Sequence, residues 1–161
     1  MRLRVELAAD AGAQPLERGF TLVELALTVA LIGVLSTVAI SGYANYQDRA
    51  RKTQVIVDIK CMSTEIDGYE IATGQLPSTL AQAGVGGMID IWGSPYQYLR
   101  LDPKDKGNPR KDKFIVPINS DYDLYSKGPD GKSSPPLTAK SSRDDIVRAS
   151  NGSYIGVAAN Y

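Results

Sequence analysis

From Phe20 to Ile40 the chain reads FTLVELALTVALIGVLSTVAI, an apolar run interrupted by one ionisable residue, Glu24. As a helix this run rises about 31 Å, close to the roughly 30 Å hydrocarbon core of a bilayer, so the sequence predicts a membrane span over 20–40. A carboxylate at the centre of a bilayer costs about 2.5 to 3.5 kcal/mol, and Glu24 therefore needs a reason. One reading needs only the residues themselves. Glu24 lies near the helix N-terminus, where its side chain can reach the interface and the positive end of the helix dipole favours it.

Composition narrows the rest. A chain of 161 residues allows one domain of ordinary size beside such a segment. Lysine and arginine total 18, as do aspartate and glutamate, so no net field attracts nucleic acid. Histidine is absent, which removes the usual general base, the Ser-His and Cys-His nucleophile pairs and the commonest zinc ligand. The expectation is a protein that is not an enzyme and has no catalytic residues. The single cysteine, Cys61, cannot form an internal disulfide and is expected to be a buried or half-buried apolar side chain.

The first 19 positions mix Arg2, Arg4 and Arg18 with Glu6, Asp10 and Glu17, unlike the basic n-region of a secretory signal. Small residues after the run, at Ala39 to Ser41 and Gly42 to Ala44, leave open cleavage there and release of a soluble binding domain. Arg49, Arg51 and Lys52 beyond the run outnumber Arg18 before it, a weak pull of the C-terminal side toward the cytoplasm.

Arg18-Gly-Phe-Thr-Leu-Val-Glu24 ahead of a long apolar segment resembles the class III signal of type IV pilins and pseudopilins. The resemblance overrides the cation count. It implies that a prepilin peptidase cuts between Gly19 and Phe20 on the cytoplasmic face, that the new amine of Phe20 is N-methylated, and that the span is retained. Residues 1–19 are then a leader, 20–40 the transmembrane part of a helix, 41–74 its periplasmic part and 75–161 a globular region. Glycine before the cut suits a tight, extended protease site. The resemblance also gives Glu24 a second reading, an ion pair with the Phe20 amine of a neighbouring subunit, which would penalise wrong register during assembly.

Val55, Ile59, Met62, Ile66 and Tyr69 recur at helical spacing and predict one apolar face, ended by Gly74 and Leu76-Pro77. Phe20 to Thr73 as one helix would be about 81 Å long. Ser41 stands where pilin stalks commonly carry a bending proline, while Gly33 and Gly42 each cost about 1 kcal/mol of helical preference. Thr79-Leu-Ala-Gln82 has capping-box spacing and predicts a short second helix, limited by Gly84, Gly86 and Gly87. Strands are expected at 96–101, 114–118 and 122–125, as an antiparallel meander with Pro117 at an edge or break. The fold class is α+β: a long N-terminal helix packed against a small antiparallel sheet. Lys104 to Lys113 mixes charges with glycine and proline and is expected to be a solvated loop.

Gly-Gln-Leu-Pro77, Asp90-Ile-Trp-Gly-Ser-Pro-Tyr-Gln-Tyr98 and Asp123-Leu-Tyr-Ser-Lys-Gly-Pro-Asp-Gly131 are similar to the globular part of the major pseudopilin of type II secretion systems. That resemblance implies a bacterial inner-membrane protein with its globular part in the periplasm. It would polymerise with itself as a helical filament to drive protein export. Its implied partners are minor pseudopilins, the prepilin peptidase and an inner-membrane assembly platform with a cytoplasmic ATPase. A type IV pilin of a surface pilus and a membrane-anchored or released binding domain are the alternatives.

Asp130, Asp144 and Asp145 flank a turn-rich loop whose aspartates and carbonyls could suit calcium, an ion that takes six to eight oxygens. Turn aspartates also serve simply as caps. The resemblance implies a calcium loop in which Asp130 and Asp145 supply carboxylates and Ser126 and Lys127 lie in the carbonyl-donating stretch. Arg143 stands where a further aspartate is usual, and Asp144 is its candidate substitute.

Overall fold

The computed structural model describes residues 19–102 and 108–161, apart from the side chains of 38–42. Its longest element, α1 (Leu22–Thr73), has 52 residues and carries no break at Gly33, Ser41 or Gly42. The chain divides into two units, Met1–Tyr43 and Ala44–Tyr161.

In the first unit the large apolar side chains of α1 are exposed, including Leu22, Val23, Leu25, Leu27, Val29, Leu31, Ile32, Val34 and Leu35. Such a helix is apolar all round, a surface suited to lipid or to other helices rather than to water. Its hydroxyls turn inward on the helix. Thr28 donates to the Leu25 carbonyl at 2.8 Å, Ser36 to Ile32 at 2.7 Å and Thr37 to Gly33 at 3.0 Å. Among the described residues no helix is long and apolar enough to cross a membrane. The span expected over 20–40 includes positions 38–40, whose side chains lie outside the described residues.

In the second unit the predicted stripe is the core. Val55, Ile59, Met62 and Ile66 are fully buried, joined by Tyr96, Tyr122, Leu124 and Ile146 from beyond the helix, with Tyr69 half-buried beside them. Cys61 is exposed, contrary to expectation. Two residues past Ile59 on a helix is about 200° of rotation, so Cys61 faces away from the sheet. Gly74 ends α1 with a φ of 76° and returns its N–H to Glu70 at 2.7 Å, the left-handed stop that a glycine accepts readily.

Four short strands follow, β1 (Gln97–Arg100), β2 (Tyr122–Ser126), β3 (Ile146–Ala149) and β4 (Tyr154–Val157), in the antiparallel order β1-β2-β3-β4. Register pairs Gln97 with Tyr125, Tyr125 with Val147, and Val147 with Gly156. One face of the sheet meets α1. The other is covered by a second cluster of Ile118, Leu137, Val147, Ala149 and Ala158. The α+β class and the meander are as the sequence predicts. Two local expectations are corrected. Residues 79–82 form turns rather than a helix, with the Ser78 N–H donating to Gln82 Oε1 at 2.7 Å and Gly84 at a φ of 78°. Residues 114–118 form no strand: Asp112 Oδ1 accepts the N–H groups of Phe114 and Val116 at 2.8 and 3.0 Å, closing a turn in which Ile115 has a φ of 65°.

Candidate functional site

At the head of α1, Thr21 lies just outside the helix and Glu24 three residues on. Thr21 donates from its N–H and its Oγ1 to Glu24 Oε2, both at 2.9 Å, while the Glu24 N–H donates back to Thr21 Oγ1 at 3.2 Å. This is a capping box, in which hydroxyl and carboxylate satisfy two N–H groups that a helix start leaves open. The Thr-x-x-Glu spacing was visible in the sequence, but its apolar setting drew attention to the membrane instead. Phe20 is 84% exposed, and a Cβ added at Gly19 would meet nothing within 4 Å. The fold of the described residues therefore makes no steric demand for glycine at 19.

The motif around Trp92 has a structural role. Buried Asp90 accepts at Oδ1 from the N–H groups of Trp92 and Ser94, at 3.0 and 2.8 Å, and at Oδ2 from Ser126 Oγ at 2.5 Å. Gly93 turns this loop with a φ of 87°. The segment thereby fixes one end of β2 and presents Tyr96, whose hydroxyl donates to Asp58 on α1 at 2.8 Å. Tyr98 reaches the Pro77 carbonyl at 2.7 Å.

Of the five residues expected to hold calcium, four make hydrogen bonds within the chain. Ser126 Oγ accepts the Gly128 N–H at 3.0 Å. Asp130 Oδ1 accepts from Lys132 N–H at 2.7 Å, and Asp144 Oδ2 accepts from Asp130 N–H at 3.4 Å. No structural contact assigns a role to Lys127. Asp145 is fully buried, and its Oδ2 accepts from the Arg110 guanidinium and from Ser133 Oγ, the latter at 2.6 Å. Among the described residues no group of three or more His, Cys, Asp or Glu side chains is placed to hold a metal ion.

What the sequence reading missed is a pair of buried arginines. Arg110, in the segment expected to be solvated, is 3% exposed and stacks over the Tyr125 ring at 4.4 Å. Arg148 is 4% exposed, forks onto Asp121 at 2.9 and 2.6 Å, and lies 3.8 Å over the Tyr122 ring. Between them Asp123 accepts from the Arg110 N–H at 2.6 Å and from Asn119 Nδ2 at 2.9 Å. Burial raises the Asp123 pKa, and those hydrogen bonds work against the rise. Expected loop residues 103–107 lie outside the described residues.

Residues 15–40 match the family described as the prokaryotic N-terminal methylation motif. The type II secretion system core protein G of Pseudomonas aeruginosa is 29% identical over 139 residues, covering 72% of this chain and 86% of the relative. The core protein G of Dickeya chrysanthemi is 24% identical over 123 residues, covering 71% and 79%. The chain is thus similar to type II secretion core proteins and to fimbrial proteins, and carries the N-terminal methylation motif. A fimbrial protein of Neisseria meningitidis serogroup A is 34% identical over 86 residues, covering 53% of this chain. The match spans about half of that relative, 51% of its length. No solved structure matches the chain.

Proposed function

We propose that this pilin-like filament subunit is a pseudopilin of a type II secretion system, anchored by α1 in the bacterial inner membrane with its sheet in the periplasm. It is a structural protein rather than an enzyme. The observation that carries the choice is coverage: the match to core protein G reaches 86% of that relative and extends into the globular region, whereas the match to the meningococcal fimbrial protein spans 51% of it. The higher identity to the fimbrial protein, 34%, favours a second reading as the pilin of a surface pilus.

Processing follows the same reading. A prepilin peptidase cuts after Gly19, and the new Phe20 amine is methylated. Because a side chain at 19 would meet nothing among the described residues, the demand for glycine is assigned to the protease. The exposed apolar surface of residues 22–35, with its hydroxyls bonded to the helix's own carbonyls, suits lipid before assembly and neighbouring helices after it. Minor pseudopilins and an ATPase-driven assembly platform are the partners this reading requires.

Deleting the coding sequence tests the assignment. A pseudopilin deletion should abolish export of secreted proteins and leave surface pili intact. Loss of pili with normal export favours the second reading, and an unprocessed N-terminus by mass spectrometry defeats both.

A further inference from the structure

Three different oxygens converge on the Arg110 side chain. Nη1 donates to Ser133 Oγ and, at 2.7 Å, to the Ser134 carbonyl, while Nη2 donates to Asp145 Oδ2. A hydroxyl, a carbonyl and a carboxylate form the kind of hard-oxygen set that a divalent cation collects. Here the positive charge belongs to the chain itself. The backbone around Arg110 extends the same tie: its N–H reaches Asp123 on β2, its carbonyl accepts the Ile118 N–H at 3.0 Å, and the Lys111 N–H donates to Pro135 at 2.8 Å.

We propose that Arg110 is the resident cation of this loop, holding residues 133–145 against the sheet so that the globular region keeps its structure without a divalent metal. Asp145 is the acid on which the device turns. A calcium ion bound there would have to share Asp145 with a guanidinium already donating to it, and like charges at such separation repel. Among the described residues, Asp145 Oδ1 and Arg110 Nε are buried without a hydrogen-bond partner. One spare carboxylate oxygen beside a fixed positive charge is a poor start toward six-coordination. Asp130 and Asp144, the other acids of the expected set, cap the turn at 128–132. The arrangement does not depend on whether the subunit builds a secretion fibre or a surface pilus.

The test uses the full-length chain in detergent, followed by circular dichroism on heating, with calcium chloride or with a calcium chelator. The unfolding midpoint of the wild type should be the same in both. Arg110→Met leaves the Asp145 carboxylate buried and unpaired, so its midpoint should fall by several degrees. The double variant Arg110→Met/Asp145→Asn should lose less than the two single losses combined, because removing both charges relieves the orphan. A rise in the wild-type midpoint on adding calcium overturns the proposal, as do additive losses in the double variant. If Arg110→Met does not fold, the wild-type comparison still decides.

Discussion

Tyr96 joins sheet to helix through one hydroxyl, which donates to Asp58 at 2.8 Å. Burial, followed by that bond to Asp58, raises its pKa above the ordinary tyrosine value. Tyr96→Phe keeps the ring in the core and removes only the hydroxyl, so it should cost about 1 kcal/mol, measured by thermal unfolding. Asp121 offers a test with a definite sign in pH. Burial pushes its pKa up, but the Arg148 fork and the Tyr122 N–H outweigh burial and leave it below 3.8. A depressed carboxylate contributes stability that is complete above its unfolded pKa and is lost as pH falls through its folded pKa. Wild type should therefore lose stability on acidification through the region below 3.8, and Asp121→Asn should lose that part of the slope while being weaker at neutral pH. Unfolding midpoints measured from about pH 5 to about pH 2 report the difference in slope.

At the scale of elements, two glycines with similar backbones separate strain from crowding. Gly74 ends α1 at a φ of 76° with nothing within 4 Å of an added Cβ, whereas at Gly128, with a φ of 63°, that atom would lie 2.5 Å from the Asp144 carbonyl oxygen. Gly74→Ala should cost about 1 to 2 kcal/mol from the left-handed backbone alone. Gly128→Ala carries a similar strain and a clash with backbone, so thermal unfolding should show the larger loss. The contrast also explains what the sequence could reveal. The stripe Val55, Ile59, Met62 and Ile66 was legible because only one face of that part of α1 is buried, and β1 and β2 stood out through their aromatic residues. β3, Ile146–Ala149, was not: both its faces are covered, all four residues are buried, and Arg148 reads locally as a surface residue. At the head of α1 the Thr21-x-x-Glu24 spacing is what marks the capping box in the sequence. The partnership of Arg110 with Asp145 spans 35 positions, and nothing in the local charge pattern marks a buried pair.

At the scale of the whole molecule, Glu24 has two proposed roles, one within the subunit and one between subunits. Its carboxylate closes a capping box on Thr21, so a role in starting the helix and a role in pairing with a neighbour's Phe20 amine both rest on the same oxygens. Two substitutions divide them. Glu24→Gln keeps an amide oxygen able to accept from Thr21 but removes the charge, since glutamine serves a capping box as glutamate does. Thr21→Val keeps the charge but removes the hydroxyl that completes the box, at a cost of about 1 kcal/mol to the helix start. If the acid selects register by pairing with a processed amine, Glu24→Gln should be cleaved and methylated normally yet fail to enter filaments, because an unpaired amine in a low-dielectric bundle disfavours packing. Thr21→Val should still polymerise. Mass spectrometry of the mature chain and sedimentation of sheared filaments read the two steps separately. Filaments of normal yield from Glu24→Gln, with loss confined to Thr21→Val, would assign Glu24 to the cap and leave register to the apolar surface of the helix.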